Sequence, residues 1–144
     1  MTLGYNIFTC VLKTKINVCK TRNISYDTLK YYCNEGLVPN VKRNKNNYRV
    51  FDDKDLAWLD TLACLKRCGM SIKEIKEYML LCLESETSIP RRKEILNDKL
   101  LELNNKKKEI DDSINYIYKK QNFHDCVLTG KTKYYSNLIN TNSN

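Results

Sequence analysis

The densest chemistry in the sequence is a group of cations between residues 40 and 50. Within eight residues the chain places Lys42, Arg43, Lys45 and Arg49. Cations at this density bind phosphate groups, and each contact that displaces a counterion makes the binding salt-dependent. Residues 1–50 carry nine bases and two acids, whereas residues 51–144 carry sixteen bases and fifteen acids. This asymmetry favours a polyanionic partner for the first part of the chain; a solvated basic loop is the alternative.

Thiol chemistry is the second possibility, because the chain has seven cysteines. The number is odd, no Cys-x-x-Cys pair occurs, and the first residues lack the basic start and cleavage site of a signal peptide. These features argue against a disulfide framework and favour a reducing cytoplasm as the location. They also predict no bound metal. Residues 1–13 are predicted to be a loose extension.

Catalysis and membrane association are both disfavoured by the residues present. There is one histidine, His124, and we find no nucleophile–base pair and no glycine-rich phosphate loop. We therefore expect neither an enzyme nor a cofactor. No apolar run is long enough to cross a bilayer, and the basic loop has no broad apolar face beside it for binding a membrane surface.

Two short helices must position the first group of exposed side chains. The first is predicted over about Lys15–Arg22, and the second begins at Ser25, a favourable N-cap, and stops at Gly36. Two helices joined by a tight turn form a helix-turn-helix, whose second helix can enter the major groove of double-stranded DNA. The outward face of that helix is predicted to carry Ser25, Tyr26, Asp27, Lys30 and Tyr31.

The cationic segment follows Pro39 and returns as a short strand. Tyr48–Phe51 alternates in polarity and is aromatic, which is typical of a strand. A basic loop that ends in a strand beside a helix-turn-helix is a wing, which lies along the phosphate backbone. The predicted wing contacts are Lys42, Arg43, Lys45, Tyr48 and Arg49.

Two more helices complete the predicted domain, which spans residues 14–84. Asp52 and Asp53 begin a third helix, which ends at Gly69. Ser71 and Glu74 form a capping box for a fourth helix. The predicted buried stripe of the fourth helix consists of Ile75, Met79, Cys82 and Leu83.

A heptad pattern marks the predicted fifth helix. After a polar hinge that ends at Pro90, seven positions step alternately by four and three residues, and six of them are apolar: Leu96, Leu100, Leu103, Ile110, Ile114 and Ile117, with Lys107 as the exception. This spacing favours a coiled-coil seam between two copies of the chain; a helix packed on its own domain is the alternative. We assign residues 85–124 to the hinge and dimerisation helix, and residues 125–144 to a short tail.

Five short segments keep the order and spacing of a known set of signatures: Thr28–Tyr32, Gly36–Pro39, Asn47–Phe51, Asp55–Leu56 and Gly69–Ser71. They resemble the signatures of the MerR family of bacterial transcriptional regulators, whose first three run Thr-Leu-Arg-Tyr-Tyr, Gly-Leu-Leu/Ile-Pro and Gly-Tyr-Arg-x-Tyr. Lys30, Asn47 and Phe51 depart from this pattern, where the family has Arg, Gly and Tyr.

The resemblance implies a mainly α-helical fold: a winged helix-turn-helix DNA-binding domain followed by a long dimerisation helix that forms an antiparallel coiled coil. It also implies a homodimer that binds an inverted repeat in double-stranded promoter DNA. Such a regulator bends and untwists the DNA so that RNA polymerase can use the promoter.

The inducing signal is the least determined property. The run from Trp58 to Lys66 resembles a MerR subgroup in which a cysteine at the place of Cys64 is linked to sensing aldehydes and other electrophiles. Lys66 and Arg67 are expected to favour its thiolate. The alternative for Cys64 is a small buried apolar residue.

Two other functions remain open at this stage. A metal-responsive regulator would need Cys82, His124 and Cys126 to approach one another across subunits. An excisionase-like architectural protein would share the winged domain, but would have no need of the long dimerisation helix.

Overall fold

The computed structural model describes residues 11–139, and it contains five helices and a small sheet within that range. The chain divides into two compact units, Met1–Lys99 and Leu100–Asn144. The helices are α1 (Lys15–Arg22), α2 (Tyr26–Asn34), α3 (Asp53–Arg67), α4 (Ile72–Leu83) and α5 (Ile89–Leu128). The strands are β1 (Lys13–Thr14), β2 (Lys42–Arg43) and β3 (Arg49–Phe51), and a 3-10 helix covers Ser85–Ser88. The predicted mainly helical fold, with a helix-turn-helix, a wing and a long helix, is confirmed.

Side-chain caps explain where α2, α3 and α4 begin. Ser25 Oγ accepts a hydrogen bond from the Thr28 amide at 3.0 Å. Asp52 and Asp55 form a reciprocal capping box at the start of α3. The predicted box at α4 is also present: the Ser71 amide donates to Glu74 Oε2 at 2.7 Å. Each box satisfies amide groups that a helix terminus would otherwise leave without partners.

The turn after α2 depends on a left-handed residue. Gly36 has φ = +71°, and a Cβ added there would meet no atom within 4 Å. Glycine is therefore required here for its backbone conformation and not for lack of space. The turn lets the Leu37 amide donate to the Tyr32 carbonyl at 2.9 Å, and it sends Leu37 back into the core.

The sheet is antiparallel, in the order β1-β3-β2. Lys13 pairs with Phe51, and Lys42 pairs with Val50. Strand β1 was not predicted, and Lys13 is therefore not part of a loose extension as we expected. Two residues are too few for a periodicity signal, and the pairing exists only because β3 lies alongside. Residues 1–10 of the predicted extension and residues 140–144 of the predicted tail lie outside the described part.

One apolar core holds α1 to α4 and the sheet together. Its fully buried side chains are Val18, Leu29, Leu37, Phe51, Leu56, Leu59, Leu62, Met70 and Ile75. Trp58 packs at its edge, and its Nε1 donates to the Leu37 carbonyl at 2.6 Å. The predicted buried stripe of α4 is correct for Ile75 and Met79 but wrong for Leu83, which is 57% exposed, while Cys82 is half-buried. Leu83 is the last residue of α4, and only the earlier turns of this helix, with Ile75 and Met79, pack into the core.

Within the first unit, polar contacts connect α4 to the start of α5. Lys99 is only 7% exposed, and its Nζ lies 3.1 Å from Glu74 Oε1. Arg92 donates to Ser88 Oγ at 3.1 Å and to the Ser85 carbonyl at 3.0 Å. The segment predicted as a polar hinge therefore contains an ordered 3-10 helix that Arg92 stabilises.

The long helix α5 continues to Leu128, so the predicted tail begins four residues too early. The helix ends at a left-handed glycine: Gly130 has φ = +72°, and the Lys131 amide donates to the Cys126 carbonyl at 2.9 Å. Residues 125–128 contain no glycine or proline, so nothing in them stops the helix. Among residues 11–139, no helix has the length and apolarity needed to cross a membrane.

Glu74 makes the stability of the first unit dependent on pH. The amide and hydroxyl of Ser71, followed by Lys99, lower the pKa of Glu74 from 4.5 to about 2. Its carboxylate thus stabilises the fold above pH 4.5, and this contribution is lost as the pH falls towards 2. We expect Glu74→Gln to lower the free energy of unfolding at neutral pH by about 1 kcal/mol, because the side chain is 43% exposed and solvent screens its interactions.

The measurement is urea denaturation at several pH values. Across the acidic range, the wild-type free energy of unfolding should fall more steeply than that of Glu74→Gln. Glu86→Gln, which changes an exposed carboxylate on the 3-10 helix, is the matched control and should follow the wild type. Identical pH slopes for the wild type and Glu74→Gln would contradict the role assigned to this carboxylate.

Candidate nucleic-acid interface

Helix α2 separates its residues cleanly into a buried and an exposed face. Leu29 and Tyr32 are buried in the core. The five side chains predicted to face outwards are all exposed: Ser25, Tyr26, Asp27, Lys30 and Tyr31. Of the adjacent tyrosines, Tyr31 therefore faces solvent and Tyr32 anchors the helix. The exposed set combines hydroxyl, carboxylate and ammonium groups, which can hydrogen-bond to base edges and phosphates.

The wing, residues 42–51, is an antiparallel hairpin with an ordered tip. Asn44 Oδ1 accepts hydrogen bonds from the amides of Asn46 and Tyr48, both at 3.0 Å. Asn47 has φ = +63°, a left-handed conformation that Asn adopts more readily than most residues. Arg43 closes the turn by donating to the Asn47 carbonyl at 2.7 Å. The tip is thus held by its own asparagines.

The four wing cations are not equivalent. Lys42 Nζ lies 2.6 Å from Asp52 Oδ2, and this hydrogen bond lowers the pKa of the Asp52 carboxyl. Lys42 therefore joins the base of the wing to the cap of α3. Arg49 Nη2 donates to Asn34 Oδ1 at 2.9 Å, which ties the wing to the end of α2. Lys45 is exposed at the tip. Arg43 and Arg49 each retain further guanidinium donors for a ligand.

A cleft of about 420 Å³ lies between the wing and the helix-turn-helix. Its walls come from the start of α1, the start of α2 and the hairpin: Thr14, Lys15, Ile16, Tyr26, Arg43, Asn44, Asn47, Tyr48 and Arg49. Three of these residues are cations, and none of the described residues that line it is acidic. The amino ends of α1 and α2 add the partial positive charge of helix N-termini. The cleft is thus suited to a polyanion.

Lys15, Asn34 and Asn44 contribute to this surface and were not predicted. Lys15 Nζ lies 3.4 Å from Tyr26 Oη and 5.0 Å from the centroid of its ring. Its position in the first turn of a short helix gave no sign that it would meet Tyr26, eleven residues later. The two asparagines act through hydrogen bonds that exist only in the folded hairpin and helix pair.

Cys64 lies near the end of α3 and is exposed, so the alternative of a buried apolar residue is wrong. Arg67 Nη2 lies 3.1 Å from Cys64 Sγ. Other cysteines differ: Cys33 is half-buried, and burial raises the pKa of its thiol. Across residues 11–139, no three His, Cys, Asp or Glu side chains lie close enough together to hold a metal ion.

The heptad positions of α5 are exposed in the single chain. Their exposed fractions range from 37% at Leu103 to 59% at Ile110, and the other members are Leu96, Leu100, Ile114 and Ile117. A row of exposed leucine and isoleucine side chains on a long helix is a surface that water disfavours.

Known proteins share this architecture. The family model for MerR HTH family regulatory proteins matches residues 17–81. The crystal structure of HiNmlR, described as a MerR family regulator lacking the sensor domain and bound to promoter DNA, is 30% identical with a TM-score of 0.69. The alignment covers 83% of this chain and 94% of HiNmlR. The chain belongs to the MerR family. This is a family of transcriptional regulators and not of enzymes.

Two curated relatives, each described as an HTH-type transcriptional regulator, match a shorter part of the chain. The HTH-type transcriptional regulator AdhR of Bacillus subtilis is 36% identical over 81 residues, which are 56% of this chain and 58% of AdhR. An HTH-type regulator of Haemophilus influenzae is 46% identical over 69 residues, which are 48% of this chain and 51% of that protein. The chain thus spans little more than half the length of these two relatives.

The structure accounts for two departures from the MerR signatures. Phe51 is fully buried in the core, where a phenyl ring needs no hydrogen-bond partner and a tyrosine hydroxyl would need one. Asn47 occupies the left-handed position that glycine fills in the family pattern. Lys30 remains exposed on α2, where its single ammonium cannot make the bidentate contact of an arginine.

Proposed function

We propose that this chain is a transcriptional regulator that binds double-stranded promoter DNA through α2 and the wing. The observation that supports this proposal is the cleft between them, which combines two helix N-termini with Lys15, Arg43 and Arg49 and has no carboxylate among its described lining residues. The phosphate backbone of DNA is a polyanion that a basic surface of this kind can bind. HiNmlR, which covers most of this chain, is bound to promoter DNA.

The side chains divide into two roles in this proposal. Tyr26, Asp27 and Lys30 lie on α2, where they reach base edges in the major groove; a lysine there bonds to guanine acceptors and an aspartate accepts from the cytosine amino group. Ser25 and Tyr31 flank them. On the wing, Arg43, Lys45, Tyr48 and Arg49 contact phosphates. Lys42 contributes by holding the base of the wing against Asp52.

The working unit is proposed to be a homodimer built on α5. Burying the exposed seam from Leu96 to Ile117 against a second copy would remove apolar surface from water, and the spacing by four and three residues is that of a coiled coil. An antiparallel pair would present two winged domains to an inverted repeat. Bending such a site costs on the order of 1–6 kcal/mol, which phosphate contacts from both wings offset. The distorted promoter is then used by RNA polymerase.

The signal is proposed to be a thiol-reactive compound, either an aldehyde or an oxidant, that modifies Cys64. Cys64 is exposed, so a reagent can reach its sulfur, and the guanidinium of Arg67 lies 3.1 Å from that sulfur. A metal signal through Cys82, His124 and Cys126 is less supported, because no three possible metal ligands lie close together within residues 11–139. Membership in a family of regulators favours this function over an excisionase-like one.

Arg49→Ala tests the phosphate contacts of the wing. We expect binding to weaken by about tenfold and the salt dependence of log K to decrease by about one unit, since one counterion fewer is released. The probe is a fluorescein-labelled duplex selected by the protein from a random-sequence library, and the measurement is anisotropy at several potassium chloride concentrations. Lys108→Ala, an exposed lysine of α5, is the control and should bind as the wild type does. An unchanged slope for Arg49→Ala would exclude Arg49 from the phosphate contacts.

Ile110→Asp tests the dimer. A carboxylate in an apolar seam has no partner there, so the variant should sediment as a monomer at concentrations where the wild type is a dimer. Leu101→Asp is the matched control: Leu101 is also exposed, but it lies one residue past Leu100 and about 100° around the helix from it. A dimer that survives Ile110→Asp would contradict the assigned seam.

Cys64→Ser tests the signal. In a reporter strain, we expect it to abolish induction by formaldehyde and by diamide, whereas Cys33→Ser should remain inducible. In the purified protein, iodoacetamide should label Cys64 faster than Cys33, because the Cys33 thiol is half-buried and its pKa is raised. Induction of Cys64→Ser at the wild-type level would show that the sensor proposal is wrong.

A further inference from the structure

The end of α5 folds back on itself in the second unit. After Gly130, the amides of Lys131 and Thr132 both donate to the Cys126 carbonyl, at 2.9 and 3.2 Å. This reversal brings Tyr134 and Tyr135 back alongside the last turns of α5, next to Phe123. The ring centroid of Phe123 lies 5.0 Å from that of Tyr135 and 6.5 Å from that of Tyr134. These are distances at which aromatic rings attract one another.

The fold-back forms a second cleft, open to solvent and of about 430 Å³, which we call the C-terminal cleft. Its principal lining residues are Tyr116, Lys119, Lys120, Phe123, His124 and Tyr135. Small-molecule sites in proteins have volumes of about 300–1,000 Å³ and combine aromatic walls with a few polar groups. The C-terminal cleft has this size and this composition.

The charge of the C-terminal cleft is one-sided. Lys119 and Lys120 line it, and none of the described residues that line it is acidic. Lys120 Nζ lies 5.6 Å from the centroid of the Tyr116 ring, which places one ammonium directly beside an aromatic wall. Residues 113–139 contain four lysines and one acidic residue, Asp125. The lysines therefore attract a ligand that has an anionic group and repel a cationic ligand.

The C-terminal cleft lies next to the apolar seam on α5. Tyr116 and Phe123 are offset by one residue from the seam positions, which corresponds to about 100° around the helix. His124, seven residues after Ile117, continues the seam, so a coiled coil that extends this far would place His124 at its edge. Tyr116 and Phe123 lie outside the seam.

We propose that the C-terminal cleft binds a small planar aromatic carboxylate. The ring of the ligand would lie against Phe123 and Tyr135, and its carboxylate would pair with the ammonium groups of Lys119 and Lys120. A volume of about 430 Å³ accommodates a ligand with one aromatic ring or with two fused aromatic rings. The C-terminal cleft shares no residue with the cleft beside the wing and does not include Cys64, so the inference does not depend on the proposed function.

Calorimetric titration of the full chain with 1-naphthoate tests this inference. We expect saturable binding of one 1-naphthoate per chain. Naphthalene-1-methanol, which has the ring without the charge, and octanoate, which has the charge without the ring, should each bind at least about tenfold more weakly, because each forfeits one set of contacts.

Two variants locate the binding. Lys120→Gln removes a charge and Tyr135→Ala removes a ring, and each should raise the Kd for 1-naphthoate by about tenfold. Lys108→Gln and Tyr118→Ala are the matched controls, since neither residue lines the cleft, and they should bind as the wild type does. Far-UV circular dichroism verifies that each variant keeps its helix content; Lys120→Gln changes an exposed side chain and gives a test that does not depend on packing.

Three outcomes would overturn the proposal. One is an absence of saturable 1-naphthoate binding. Another is equal affinity in the wild type, Lys120→Gln and Tyr135→Ala, which would place the ligand elsewhere. The third is a loss of the dimer in both cleft variants without any binding of 1-naphthoate, which would identify the cleft as a contact between two copies of the chain.

Discussion

The burial of Phe51 is the constraint on which the first unit depends. Phe51 ends β3, the central strand, and its ring lies in the same core as Leu29 of α2 and Leu56 of α3. Because β3 also pairs with β1 and β2, one buried side chain connects the wing, the start of α1 and the helix-turn-helix. The wing is thus held against the same core that orients α2, and the cleft between them has a defined shape.

Ion pairs and hydrogen bonds within the fold distinguish the cations that have a structural role from those that are available to a ligand. Lys42 is paired with Asp52 at the base of the wing, and Lys99 is buried against the capping carboxylate Glu74. Arg43 and Arg49 use one side of their guanidinium groups to brace the hairpin and keep the other side available. A basic composition therefore overstates the number of cations available to a ligand, since Lys42 and Lys99 form ion pairs within the fold.

The second unit has a different organisation. It consists of a long helix with an exposed apolar seam and an aromatic, lysine-lined cleft at its end. The apolar seam does not stabilise the unit by itself, because its leucine and isoleucine side chains remain exposed to water.

The amino-acid sequence by itself determined the helices, their caps and the family. Ser25, Asp52 and the pair of Ser71 and Glu74 mark helix starts through local hydrogen bonds, which a short stretch of sequence contains completely. The exposed face of α2 and the hairpin strand at Arg49–Phe51 followed from periodicity in the same way. The heptad of α5 likewise indicated an apolar row, and the structure leaves it exposed.

Only the tertiary structure decided which side chains meet across long separations. Strand β1, the contact of Lys15 with Tyr26, the hydrogen bond from Arg49 to Asn34 and the return of Tyr135 to Phe123 each join residues that no local pattern connects. The sequence also left open whether Cys64 is buried or exposed, and the structure places its side chain in solvent. Local hydrogen bonds and periodicity depend on residues that are close together in the sequence. The two clefts, in contrast, are formed by segments that become neighbours only when the chain folds.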